Sequence, residues 1–203
     1  MSPRRKSRPV ASAPDLNTIG PMSILQLVPV IDELLGKEAG SRVLARAGIT
    51  LLPEADAFCD EAPAAAVHQA LRKEFPEMAE RITRCAGGRT GDWILATRMP
   101  PVAAMTLSSL PAWLASPVLC GLIEKHAWTF AGSGRFRVVN RSQPVFELAD
   151  NPVIRGEVAD HPVCSWHAAV FEHLFRSIVD PELSCIETHC SACGDSICRF
   201  EII

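Results

Sequence analysis

Apolar residues recur at helical spacing through the first two thirds of the chain. Ile24, Leu27, Val28, Ile31, Leu34 and Leu35 mark one face of a helix, and Gly36 supplies its stop. Val43, Leu44 and Ala47 predict a short second helix ending at Gly48. Pro63 suits a first helical position, where its missing N–H costs nothing, and Val67, Ala70 and Leu71 continue one face until Phe75-Pro76. Met78, Ile82 and Cys85 carry another helix to Gly87-Gly88, which reads as a break. Trp113, Leu119, Leu122, Ile123, His126, Ala127 and Phe130 predict one longer helix that ends before Gly132.

The period then shortens to two. Phe136 and Val138 alternate with Arg135 and Arg137, an Asn140-Arg141-Ser142 turn follows, and Phe146 and Leu148 resume the alternation, so 134–149 reads as a β-hairpin. Residues 151–162 make a polar connection. Ala168, Phe171, Phe175 and Ile178 predict a helix over 164–179, closed by Asp180-Pro181. A second hairpin, 184–190 with 196–203, turns at Ala192-Cys193-Gly194-Asp195. The expected class is α+β: a helical region over 19–131, then a ββαββ antiparallel-sheet region over 132–203, packed together as one globular unit.

At 203 residues with 48% apolar and 21% charged side chains, the chain can bury one real core. A net charge of −3 provides no field for nucleic acid. Arg4, Arg5, Lys6 and Arg8 run into Pro9, Ser12 and Pro14 rather than into the apolar stretch of a secretory signal, so 1–18 reads as a flexible basic tail. From Pro100 to Ile123 there is no charged residue, a length that would span a bilayer. Pro100, Pro101, Pro111 and Pro117 would leave backbone groups unpaired in lipid, so the expectation is a buried pair of short helices in a soluble protein.

The eight cysteines divide unevenly. Cys59, Cys85 and Cys120 are scattered at apolar positions and read as buried thiols. Cys164, Cys185, Cys190, Cys193 and Cys198 crowd the last forty residues. Cys164 opens a helix, where the dipole favours a thiolate, and a hairpin turn brings Cys190 and Cys198 together. Three thiolates and one more ligand suit tetrahedral zinc, with Glu187, His189, Cys193 and Cys185 competing for the fourth place. Free thiols and an iron–sulfur cluster are the competing readings, although no ferredoxin spacing is present. A complete shell would leave no open position, so the metal would staple the hairpin to the helix.

The run Pro162-Val163-Cys164, with Glu187-Thr188-His189-Cys190-Ser191-Ala192-Cys193-Gly194-Asp195-Ser196-Ile197-Cys198-Arg199-Phe200-Glu201-Ile202, resembles the four-vinyl-reductase domain family. That family includes bacteriochlorophyll 4-vinyl reductase proteins and the ligand-sensing domains of phenol-responsive activators. It is similar in fold to small subunits of vesicle-tethering complexes. Carried over, the zinc ligands of the sensor branch fall on Cys164, Glu187, Cys190 and Cys198, while Cys193 departs from the pattern and stands as an alternative ligand. Ile19-Gly20-Pro21, Asp60-Glu61-Ala62-Pro63, Asp92-Trp93-Ile94-Leu95-Ala96 and His126–Phe136 resemble the photosynthetic branch. The resemblance spans about 19–203. It implies bacteriochlorophyll biosynthesis, a tetrapyrrole ligand and an oxidoreductase label, in a cytoplasmic protein working with other pathway enzymes beside the photosynthetic membrane. A second copy of the chain is a further candidate partner.

Reducing a vinyl group needs an electron donor held beside it. Gly132-Ser133-Gly134, the one candidate nicotinamide turn, follows a helix and precedes a strand, the reverse of the dinucleotide-binding order. Binding a porphyrin or chlorophyllide intermediate as carrier or accessory factor is the better-supported expectation. The alternatives are the reductase itself with an external donor, and a small-molecule sensor. Trp93, Trp113, Trp128, Phe130 and Phe136 are candidate pocket walls, His126 a candidate magnesium ligand, and Arg135 or Arg137 a partner for a propionate. Their plainer roles are core packing for the aromatics and His126, and a solvated strand face for the arginines. His68, His167 and His173 lie off the apolar stripes and are expected at the surface. Asp160-His161 is expected as a loop pair rather than a support for a metal ligand.

Overall fold

The computed structural model describes residues 17–203, so the basic-tail expectation over 1–18 falls almost wholly outside the described residues. Strand β1 (Thr18–Ile19) pairs antiparallel with β2 (Cys59–Asp60), and between them lie α1 (Met22–Leu25), α2 (Leu27–Leu35) and α3 (Lys37–Arg46). α2 stops at Gly36, whose φ of +88° an L side chain would resist. α4 (Glu61–Glu74) begins where the Asp60 carboxylate accepts the Ala62 N–H at 3.1 Å, so the cap precedes Pro63.

α5 (Pro76–Arg98) corrects the expected break, because it continues for 23 residues through Gly87-Gly88. Gly87 serves close approach rather than a turn. A Cβ on Gly87 would stand 2.5 Å from the Trp166 carbonyl oxygen and 2.7 Å from Ala169 Cβ, both contributed by the helix packed along α5. The next helices are α6 (Pro101–Ser108), α7 (Ala112–Lys125) and α8 (Trp128–Ala131). The single long helix expected over 113–130 is therefore interrupted at His126, which caps α7. The helix pair from the uncharged segment forms, but it is not buried. Val102 is 75%, Met105 72% and Trp113 72% exposed, with only Leu107, Ala115, Ser116, Leu119, Cys120 and Ile123 turned inward.

The C-terminal third follows the expected order: β3 (Arg135–Asn140), β4 (Val145–Ala149), α9 (Ser165–Ile178), β5 (Cys185–His189) and β6 (Cys198–Ile202). Pro152–Ile154 forms one 3₁₀ turn inside the connection. The strands make an antiparallel sheet in the order β3-β4-β6-β5, with Phe146 opposite Phe200 and Leu148 opposite Cys198. These four side chains share a buried face, on which Phe171 and Phe175 of α9 pack with Phe130 and Phe136.

Helical and sheet parts are tied by a buried acid that the sequence reading did not single out. Glu61, 4% exposed, accepts from Ser133 N at 2.9 Å, Ser133 Oγ at 2.8 Å and Arg155 Nη1 at 2.5 Å. Burial opposes its ionisation, but these donors outweigh that and hold the carboxyl below its ordinary range. Gly132, at φ +53°, lets the chain pass this carboxylate, since a Cβ there would meet Glu61 Oε2 at 2.6 Å. Two further expectations are corrected by burial. His68 and His167 are each 1% exposed rather than on the surface, and Cys85 is exposed rather than buried. His68 Nε2 lies 3.0 Å from the Ser23 carbonyl oxygen, and His167 Nε2 lies 3.3 Å from that of Phe130, so each ring has a backbone partner inside the core.

Candidate functional site

The fold gathers four of the singled-out side chains at one corner of the sheet. Cys164 precedes α9, Glu187 lies on β5, Cys190 follows it, and Cys198 opens β6. One ligand atom from each lies within 4.8 Å of all the others. All three sulfurs are buried, and Cys164 Sγ stands 3.5 Å from Cys198 Sγ. Glu187 Oε2 accepts the Cys164 N–H at 2.7 Å, whereas its Oε1 is buried without a partner. Asn151 Nδ2 donates to Cys164 Sγ at 3.3 Å and to Cys198 Sγ at 3.8 Å, and Ser191 Oγ lies 3.4 Å from Cys198 Sγ. Cys193 is exposed in the adjoining turn, Cys185 is buried at the first residue of β5 with its N–H donating to Glu172 Oε2 at 3.0 Å, and His189 is exposed.

The electrostatics of this corner are those of acids sharing too few charges. Hydrogen bonds from Cys164 and then Cys190 hold the Cys198 thiol down to about 3, which favours its thiolate form. Burial pushes Cys164 well above the ordinary thiol range, and burial with the neighbouring Cys190 pushes Glu187 up to about 8. A divalent cation among these groups would favour their charged forms and relieve that competition. An orphaned carboxylate oxygen among three sulfurs, with amide and hydroxyl donors aimed at those sulfurs, fits a soft, closed, four-ligand shell. Asn151 was not anticipated, and its only trace in the sequence is an Asn-Pro dipeptide inside a stretch read as plain connection.

A second feature is an apolar cleft between the N-terminal segment, α5 and α9. Trp93, Phe58, Phe130, Trp166 and Val170 form its walls, with Arg98 and Asp56 also lining it. Its free volume is about 40 Å³, room for a few waters and far below the roughly 300–1,000 Å³ of small-molecule sites. One wall is Ala55–Phe58, part of a stretch with neither regular helix nor more than the first residues of a strand bond, and Leu51 within it is 87% exposed.

The pocket candidates separate. Trp93 and Phe130 line the cleft, and Trp128 stands beside it, its ring 4.7 Å from that of Phe58. Phe136 belongs to the sheet-side aromatic core, 5.1 Å from Phe130. His126 is turned back on its own helix, with Nδ1 2.8 Å from the Leu122 carbonyl oxygen. Arg135 pairs with Asp150 at 2.8 Å on the sheet surface, Arg137 pairs with Glu147, and Trp113 projects from α7. Asp160 and His161 contact each other at the surface, 2.5 Å apart. Trp166, Phe58 and Arg98 were missed. Trp166 had a usable signal, two residues beyond Cys164 on the buried side of α9, and Arg98 ends the helix that carries Trp93, its guanidinium 5.1 Å from the centre of that ring, whereas Phe58 reaches the cleft only through tertiary packing.

Comparison with known proteins gives these sites a family. A V4R domain model matches residues 144–203, which hold all four clustered ligand candidates. Over 185 residues the chain is 48% identical to the bacteriochlorophyll synthase 23 kDa chain of Cereibacter sphaeroides, covering 91% of this chain and 90% of that one. The chain belongs to the bacteriochlorophyll synthase 23 kDa chain family. The Rhodobacter capsulatus bacteriochlorophyll synthase 23 kDa chain is 43% identical over 182 residues, covering 90% of this chain and 85% of that one. Among solved structures, this 23 kDa-chain family member shares its fold with an H-NOX protein from S. oneidensis in the Fe(II)NO ligation state. The TM-score there is 0.59 at 8% identity, covering 91% of this chain and 98% of that one. A structure described for heme distortion in the H-NOX family matches at TM-score 0.55 and 10% identity, over 91% and 93%.

Proposed function

We propose that this protein serves bacteriochlorophyll synthesis by binding a porphyrin or chlorophyllide intermediate, and that it supports reduction of the pigment's vinyl group as a carrier or accessory factor. The observation that carries the reading is the apolar cleft walled by Trp93, Phe58, Phe130 and Trp166 with Arg98 beside it. Flat aromatic walls suit a macrocycle, and a guanidinium suits the carboxylates on its edge. The kinship with bacteriochlorophyll synthase chains supplies the pathway, and the shared H-NOX fold is one in which a heme is accommodated. Since the cleft is narrow, entry of the pigment requires the Ala55–Phe58 wall to swing outward, with Trp93 and Trp166 remaining on the helices behind it.

Cys164, Glu187, Cys190 and Cys198 would hold zinc in the same reading. A zinc ion with four protein ligands has no open position and no redox chemistry, so it would supply folding energy and fix the hairpin to the start of α9. Asn151 and Ser191 would orient the sulfurs. Pigment handling then belongs to the cleft, and the metal corner is its scaffold.

An absorption titration of the purified chain with a divinyl chlorophyllide tests the proposal. Saturable binding with a shifted pigment band is expected. Trp93→Ala should weaken it by about tenfold or more, the scale of one lost large aromatic contact. An unshifted spectrum at every concentration would refute it, and so would a Trp93→Ala chain that binds as tightly as the parent.

A further inference from the structure

The helix pair α6–α7 presents an apolar surface that none of the described residues covers. Val102 and Met105 form an i, i+3 stripe on α6, while Leu114, Val118 and Leu122 form an i, i+4, i+8 stripe on α7. All five side chains are exposed, together with Trp113 at the start of α7. No Asp, Glu, Lys or Arg occurs from Met99 to Ile123. We propose that this pair lies on the surface of a phospholipid bilayer, with its apolar side chains sunk to the boundary between headgroups and acyl chains.

Three features favour lipid over a protein partner. The first concerns polar groups. Thr106 Oγ1 donates to the Val102 carbonyl at 2.8 Å, Ser108 Oγ to that of Met105 at 3.1 Å, and Ser109 Oγ to that of Thr106 at 2.7 Å. Exposed hydroxyls ordinarily bond to water or a partner. Here each is satisfied inside its own helix, which is what a surface needs before it enters a medium without donors or acceptors. Second, the exposed set is aliphatic side chains, one methionine and one tryptophan, the composition of an interfacial helix rather than the mixed polar rim of a protein interface. Third, the run ends at Glu124, whose charge is paired with Arg141, and at the exposed cation Lys125. Cations at the edges of an apolar strip meet lipid phosphates. The four prolines and the short helices keep the segment from crossing, and among the described residues no helix is long and apolar enough to cross a membrane.

Vesicle co-sedimentation of the full chain tests the inference, using phosphatidylcholine vesicles with and without phosphatidylglycerol. The chain should pellet with vesicles, more strongly with the anionic lipid, and Trp113→Phe should remove a blue shift in tryptophan emission. Val102→Asp with Met105→Asp, and separately Val118→Asp with Leu122→Asp, should each weaken partition by about tenfold or more, because a carboxylate is costly at that depth. These positions are exposed, so circular dichroism and Tm should stay as in the parent. Failure of the parent chain to bind vesicles would overturn the inference, as would variants that bind undiminished. A parent chain that dimerises through this face, with the aspartate variants monomeric, would also overturn it.

Discussion

Cys198 carries three sulfur contacts of the metal corner: Cys164 at 3.5 Å, Ser191 Oγ at 3.4 Å and Asn151 Nδ2 at 3.8 Å. If these groups hold zinc, Cys198→Ser should abolish bound metal by elemental analysis and lower Tm by several degrees, whereas Cys193→Ser should leave both unchanged. Full zinc content in Cys198→Ser would remove that sulfur from the ligand set. His68 makes a separate prediction. Burial lowers its pKa from 6.5 to about 3 in the folded chain, so the neutral ring is the folded form. The unfolded chain takes up that proton as pH falls through about 6.5, and the folded chain does not until about 3. The stabilisation is therefore whole above 6.5 and lost progressively below it, by up to about 1.4 kcal/mol per pH unit. In His68→Gln, whose amide can still reach the Ser23 carbonyl, urea unfolding should show a shallower loss of stability between pH 6.5 and 4.5. An unchanged slope would mean the ring is charged or free to titrate in the fold. The clustered cysteines were legible in the sequence because hairpin spacing fixes which residues meet. The buried histidines were not, because their partners are backbone carbonyls far away in the chain.

At the scale of elements, alternation and helical period identified both hairpins, α9 and α4, since each keeps one face on a single core. The errors fall where an element's role depends on a neighbour. Gly87-Gly88 looks like a break in one dimension, yet Gly87 lets α5 and α9 come into close approach at Trp166 and Ala169, as Gly91 does at His173. Gly87→Ala should thus destabilise the protein by about 1–3 kcal/mol in chemical unfolding, despite alanine's better helix propensity. A more stable Gly87→Ala chain would show that the two helices are not in close approach. The α6–α7 pair failed in the opposite direction. Its apolar content predicts burial, but the fold offers only the Leu107, Ala115, Leu119 and Ile123 side a core to pack against.

For the whole molecule, the metal corner and the apolar cleft both adjoin the N-terminal half of one structural beam, α9. Cys164 stands just before it, Trp166 and Val170 turn from it into the cleft, and Phe171 and Phe175 hold it to the sheet. A ligand shell that fixes the start of α9 therefore fixes one wall of the cleft, and stripping the metal with a chelator should weaken pigment binding as well as lower Tm. Unaltered pigment affinity after complete metal removal would separate the two sites. The cleft itself was only partly readable, since Trp93 and Phe130 stood out by residue type while Phe58 is brought in by the fold from a distant segment.

The account rests on this chain holding a vinyl pigment without supplying the electrons that reduce it. Mass spectrometry of a divinyl chlorophyllide recovered after incubation with the purified protein and NADPH tests that most directly. The pigment should return protein-bound and unchanged in mass. Recovery of pigment carrying two added hydrogens, with no other protein present, would contradict it.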